Sequence, residues 1–303
     1  MSSIVAVGSL AFDSIETPFG KVGKILGGSA NHFSLSASYF TPVKCISVVG
    51  EDYPKDHLEE LKSRRIDLTG VKVSPGKTFH WSGKYGYDLH EATTLETHLN
   101  VFEHFSPEVP ASYRDSSFLF LGNIFPALQK QVLGHLPQAR FVALDTMNFW
   151  IESQREGLID VLGKVNCLII NEAELRQLTK THNVVKAAAQ VQSWGPSLVV
   201  VKRGEYGALL FNGQEAFSLP GLPLSEVKDP TGAGDSFAGG FLGYLAAQGN
   251  PQPDRVSLRQ AVVYGSVMAS FIVEDFGCHQ LLKISKDKIS ERFQKFRDLT
   301  HFQ

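Results

Sequence analysis

Six short apolar runs, rich in β-branched residues, punctuate the chain: Ile4–Val7, Ile46–Val49, Phe118–Leu121, Phe141–Leu144, Cys167–Ile170 and Leu198–Val201. None alternates polar with apolar positions. Each therefore predicts a strand buried on both faces, as in a parallel sheet covered by helices on either side. Ser29–Phe40, Pro54–Arg64, Glu172–Leu178 and Val184–Trp194 lie between them and read as helices. Alternation at this spacing predicts a doubly wound α/β layer. The last third is mostly helical, over Ala233–Ala247, Leu258–Glu274 and Lys286–Phe296. One stretch differs. From Thr78 to Val101, Phe79, Trp81, Tyr85 and Tyr87 occupy odd positions with polar residues between them. That period of two belongs to half-exposed strands and predicts a small separate sheet, a lid.

Composition narrows the class. The chain has 303 residues, 43% of them hydrophobic and 20% charged, enough to fill a large core in one big domain or two smaller ones. The net charge of -2 gives no whole-molecule attraction to nucleic acid or to an anionic membrane. No apolar run approaches the roughly 20 residues that span a bilayer, and Met1-Ser2-Ser3 does not open a signal peptide. Cys45, Cys167 and Cys278 are too far apart for a CxxC pair and are expected as buried free thiols. A reducing, cytoplasmic setting follows as the expectation.

The chemistry concentrates in Asp229-Pro230-Thr231-Gly232-Ala233-Gly234-Asp235-Ser236-Phe237, which runs straight into a helix-period apolar stretch. Pro230 stiffens the entry. Gly232 and Gly234 permit close backbone approach. A helix that starts here points free N–H groups outward at the positive end of its dipole, which makes an anion site. A carboxylate beside such a site repels phosphate, unless it takes the proton from an attacking hydroxyl. Asp is also a good N-cap residue, and on Gly232–Asp235 alone the two readings stand side by side. Other chemistries fail on spacing. Gly76-Lys77-Thr78 lacks the P-loop glycine, since position 71 is Val71. A Rossmann glycine is replaced by Phe237. Neither zinc-ligand spacing nor a GxSxG elbow occurs, and His80, His90 and His98 read as lid or surface residues.

Taken whole, Asp229–Phe237 resembles the second signature of the PfkB (ribokinase-like) carbohydrate kinases, with Asp229, Thr231, Gly232, Ala233, Gly234, Asp235 and Phe237 matching. Gly27-Gly28-Ser29-Ala30-Asn31 is similar to the first signature. The resemblance implies one ribokinase-like α/β domain over residues 1–303: a central, mostly parallel sheet flanked by helices, with a small β lid from about 14–26 and 76–103. It implies an ATP-dependent kinase acting on a hydroxyl of a small neutral sugar or a nucleoside. Asp235 is then the general base, and Gly232, Ala233 and Gly234 form the anion hole. Asp13, Gly27, Gly28, Asn31, Trp81 and Asn123 bind the acceptor. Asn171, Glu174, Lys202, Gly204, Gly207 and Thr231 bind the nucleotide. Glu174 holds Mg²⁺ through water, and Asp229 faces a K⁺ site completed near Glu274–Gly277. Locally, Asn171 and Glu174 also make a capping-box pattern, and Lys202, where many members carry Thr, either reaches a phosphate or points to solvent. The Asp-Pro-Asn-x-Arg segment of many sugar kinases becomes Asp145-Thr146-Met147-Asn148-Phe149-Trp150, without the Arg, which weakens the case for an acidic sugar. The partners implied are the small acceptor, ATP and a second copy docked through the lid, with no nucleic acid or membrane. A catalytically silent binding module on the same scaffold is the rival reading, and a pyridoxal-type vitamin kinase a third.

Overall fold

The computed structural model describes residues 2–301. Its strands are β1 (Ile4–Val7), β2 (Ala11–Thr17), β3 (Gly20–Gly27), β4 (Val43–Gly50), β5 (Ile66–Ser74), β6 (His80–Tyr85), β7 (Ala92–His98), β8 (Phe118–Leu121), β9 (Phe141–Asp145), β10 (Cys167–Asn171), β11 (Leu198–Lys202), β12 (Ala208–Asn212) and β13 (Glu215–Leu219). Nine of them form one sheet in the order β13-β12-β11-β10-β9-β8-β1-β4-β5. Every pairing from β11 to β5 is parallel, and the β11–β12–β13 edge is antiparallel. The runs without alternation are the parallel strands. In β1, Ile4 and Ala6 join the apolar core on one face while Val5 and Val7 join the core on the other. Burying both faces is what a strand covered by helices requires.

Helices Ser29–Ser38, Ala233–Gln248 and Arg255–Ile272 cover one face. Helices Pro126–His135, Arg155–Leu162 and Val184–Trp194 cover the other. The Ala233–Gln248 helix lies very close to its neighbours. A Cβ on Gly239 would stand 2.5 Å from the Phe33 carbonyl oxygen, and one on Gly240 2.6 Å from that of Tyr264. Glycine at these positions is the condition for that approach.

The aromatic stretch forms a second sheet, ordered β3-β2-β6-β7. Its strands lie at 11–17, 20–27, 80–85 and 92–98, so its first strand begins before the expected residue 14. Asp13 sits inside β2, which Gly8–Leu10 separate from β1. The alternation holds only in part. Tyr85 is buried and Tyr87 is exposed, and a bulge between Ser82 and Gly83 shifts the β6–β7 register. The three cysteines are free and buried. Among the described residues no helix is long and apolar enough to cross a membrane.

Candidate active site

Parallel strands β9, β10 and β11 end together at Asp145, Asn171 and Lys202. The crevice beyond the carboxyl ends of such strands is where open α/β sheets place ligands. The glycine-rich turn meets them there. Gly232 has φ +77°, a conformation that strains any side-chain-bearing residue, and it ends the turn at the N-terminus of the Ala233–Gln248 helix. A Cβ on Gly232 would lie 2.6 Å from the His32 ring, and one on Gly234 2.7 Å from Lys202 Nζ. The turn is thus held between a buried imidazole and an ammonium. Of the three N–H groups expected as anion-hole donors, that of Ala233 donates to the Pro230 carbonyl (3.1 Å), closing the turn, while those of Gly232 and Gly234 have no backbone partner among the described residues.

Asp235 stands in the first turn of this helix. Its pKa is raised to about 7, by burial first and by the Asp145 carboxylate second, with Lys202 pulling it back. Lys202 Nζ lies 3.3 Å from both Asp145 oxygens, and its ammonium is surrounded by Asp145, Glu174 and Asp235. Of the two local readings for Lys202, solvent or site, the structure has the second. Glu174 is also raised to about 7, by burial above all and by Asp145 and Asp235, against Lys202. Asn171 and Glu174 form a full capping box, with Glu174 N–H donating to Asn171 Oδ1 (2.7 Å) and Asn171 N–H to Glu174 Oε2 (3.1 Å). The remaining Glu174 oxygen, Oε1, is outside the box.

Asp13 belongs to the same basin. Burial raises its pKa to about 7, with Asp229 and Asp235 adding to the rise and the Gly28 N–H opposing it. Gly27 lies against it, since a Cβ there would be 1.8 Å from Asp13 Oδ2. Asp229 is fully buried; Thr231 N–H donates to its Oδ1 (2.9 Å) and Gly277 N–H to its Oδ2 (3.2 Å). The 229–231 turn and the loop near Glu274–Gly277 are therefore adjacent, as expected. Gly204 (φ +57°) and Gly207 (φ +89°) shape the tight turn from β11 to β12.

Three expected acceptor residues are engaged within the protein. Asn31 is fully buried, its Oδ1 held by His57 Nε2 (2.9 Å) and its Nδ2 without a partner among the described residues. Asn123 Oδ1 accepts from Trp150 Nε1 (2.9 Å), and Trp81 Nε1 donates to Thr94 Oγ1 (3.2 Å). Two site residues went unread in the sequence. Asp145 was visible as a carboxylate ending a parallel strand. His32 follows Asn31 in the helix; burial depresses its pKa to about 4, and both ring nitrogens lack partners among the described residues.

No group of three His, Cys, Asp or Glu side chains converges tightly enough to hold a metal directly among the described residues. Half-buried carboxylates sharing one cation nonetheless suit Mg²⁺, a hard ion commonly held through water and substrate phosphates by one or two carboxylates.

Comparison with known proteins shows the family and the fold. The family model for pfkB family carbohydrate kinases matches residues 1–284. A cytidine kinase of Thermococcus kodakarensis is 32% identical over 266 residues, 85% of this chain and 93% of the relative. Among solved structures, a nucleoside kinase of Methanocaldococcus jannaschii superposes with a TM-score of 0.77 at 21% identity, covering 97% of this chain and 99% of that one. A Burkholderia thailandensis nucleoside kinase in complex with inosine gives a TM-score of 0.78 at 18% identity, with 96% and 97% covered. The chain belongs to the pfkB family of carbohydrate kinases, with a ribokinase-like fold, and is a phosphotransferase acting on a hydroxyl group.

Proposed function

We propose that the chain transfers the γ-phosphoryl group of ATP to a hydroxyl of a nucleoside, with a small neutral sugar as the second acceptor class. The observation that carries the reading is the carboxyl of Asp235, with a pKa near 7, set beside a glycine turn and the Lys202 ammonium. A carboxyl at that pKa takes a proton from an alcohol more readily than an ordinary aspartate and is still substantially ionised near neutrality. In this reading Asp235 removes the acceptor's proton, while Gly232 and Gly234 N–H groups and Lys202 stabilise the charge that gathers on the transferred group. Asp13 accepts hydrogen bonds from acceptor hydroxyls, with Gly27 and Gly28 giving close backbone approach and Asn31, Trp81 and Asn123 at the border.

The nucleotide lies along the Gly204–Gly207 turn and Thr231. Mg²⁺, when bound, offsets phosphate charge. Asn171 and Glu174 would hold it, and its charge would offset the carboxylate that burial leaves raised at Glu174. A K⁺ ion beside Asp229 would neutralise a carboxylate that burial destabilises. The four-stranded sheet acts as the lid over the acceptor. Its outer strand β7 is exposed along most of its length, including Leu95, and supplies the surface through which a second copy docks.

Similarity to a cytidine kinase over nearly its whole length favours a nucleoside. The missing Arg in Asp145–Trp150 weighs against an acidic or phosphorylated sugar and leaves a neutral sugar as the second class. The test is ADP release with MgATP across a panel of nucleosides and neutral sugars. Release with cytidine or another nucleoside supports the reading. Ligands that raise the melting temperature while no ADP forms would show a silent binder instead.

A further inference from the structure

We propose that Tyr85, carried on the small sheet, is a positioning residue for the phosphate-binding turn: its hydroxyl holds Thr231, so closing the acceptor side sets the anion hole on the nucleotide side. The inference rests on the kinase reading above. Thr231 Oγ1 donates to Tyr85 Oη at 3.1 Å, across 146 residues of sequence. Thr231 in turn donates its N–H to buried Asp229, and Gly232 follows directly. A displacement of Thr231 therefore moves a hinge one residue from the anion hole. Tyr85 is itself buried, and burial keeps it a neutral phenol. After accepting from Thr231, it retains its own O–H to donate.

Strand geometry ties the same residue to the acceptor. β6, which ends at Tyr85, pairs in parallel with β2, with Trp81 opposite Asp13. Tyr85 thus joins a strand that runs beside Asp13 to the turn that holds Thr231. A second contact follows at the tip of the sheet. His90 Nε2 lies 3.4 Å from Glu205 Oε1, and its ring is 6.1 Å from that of Tyr206, both in the Gly204–Gly207 turn. The β6–β7 hairpin thus touches the nucleotide side at two points.

The experiment is steady-state kinetics with MgATP and cytidine for wild type, Tyr85→Phe, Thr231→Val, the double variant and Asp235→Asn, with melting temperatures alongside. Tyr85→Phe keeps the ring and loses only the hydroxyl. The expected result is a fall in kcat of about tenfold, an acceptor KM within about twofold of wild type and little change in melting temperature. The double variant should be no slower than the slower single one, because both remove the same contact. A Tyr85→Phe kcat within about twofold of wild type, or losses that multiply in the double variant, overturns the inference. If wild type is active and Asp235→Asn is not, that failure leaves the kinase reading standing. The same set is run with whichever nucleoside of the panel gives ADP if cytidine does not; if wild type makes no ADP with any of them, the nucleoside reading falls and this inference with it.

Discussion

Asp13, Glu174 and Asp235 each have pKa values pushed up to about 7 from ordinary values of 3.8 to 4.5, with burial the largest cause. Such a carboxyl keeps a proton that the unfolded chain has already lost. Between about pH 4 and about pH 7 the native state therefore binds more protons than the unfolded one, and the stability these groups contribute falls as pH rises through that window. Asp235→Asn is expected to melt above wild type at about pH 8, by a margin that shrinks toward about pH 5. Differential scanning calorimetry at the two pH values checks this. In the wild type, kcat/KM should climb with pH through about 7 as the base ionises, and a profile flat from about pH 5.5 to about pH 8 would contradict it. Gly234→Ala puts a methyl group 2.7 Å from Lys202 Nζ and should displace the ammonium from Asp145. The expected readout is a raised KM for ATP with the melting temperature nearly unchanged. Asp235 and Gly232 could be proposed because Asp229–Phe237 taken whole is specific, whereas Asp13 entered only through the family resemblance. Asp145 was seen only as the start of a segment that had lost its Arg, so its pairing with Lys202 went unread, and the Ala233–Pro230 hydrogen bond is a backbone event that leaves no mark in residue type.

The Ala233–Gln248 helix owes its position to small residues. With Gly239, Gly240 and Gly243 it admits the Ser29–Ser38 and Arg255–Ile272 helices at close range, which fixes the glycine turn at its N-terminus over the strand ends. Gly240→Ala drives a Cβ to 2.6 Å from the Tyr264 carbonyl oxygen, a backbone atom that cannot rotate away. Overpacking of this kind costs about 1–3 kcal/mol, so the melting temperature should drop by several degrees, whereas an unchanged value would show that the helices separate freely. Buried strands β1, β8, β9, β10 and β11 were readable because a strand covered on both faces is apolar throughout. β5 and β13 were not. β5 is an edge strand with Asp67, Thr69 and Lys72 facing out, and β13 is exposed along most of its length, so neither shows a continuous apolar run, whereas β12 does carry one, Ala208–Phe211, directly after the glycine turn. In the small sheet the alternation announced strands, but β6 ends at buried Tyr85, so Tyr87 lies past the strand, in solvent.

Over the whole molecule, a catalytic layer and a small sheet share one basin of charge in which Lys202 stands among Asp145, Glu174 and Asp235. Near-neutral overall charge offers a polyanion no general attraction, and the proposed function assigns recognition of phosphate to this basin and its glycine turn. Removing the proton acceptor while leaving the fold in place isolates what the basin does. The decisive comparison is ADP formation from MgATP and cytidine by wild type and by Asp235→Asn, each verified as folded by its melting curve. Turnover by the wild type, with a loss of about 10²–10⁴-fold in kcat for the variant, is the predicted result. A folded Asp235→Asn that turns over at nearly the wild-type rate contradicts it.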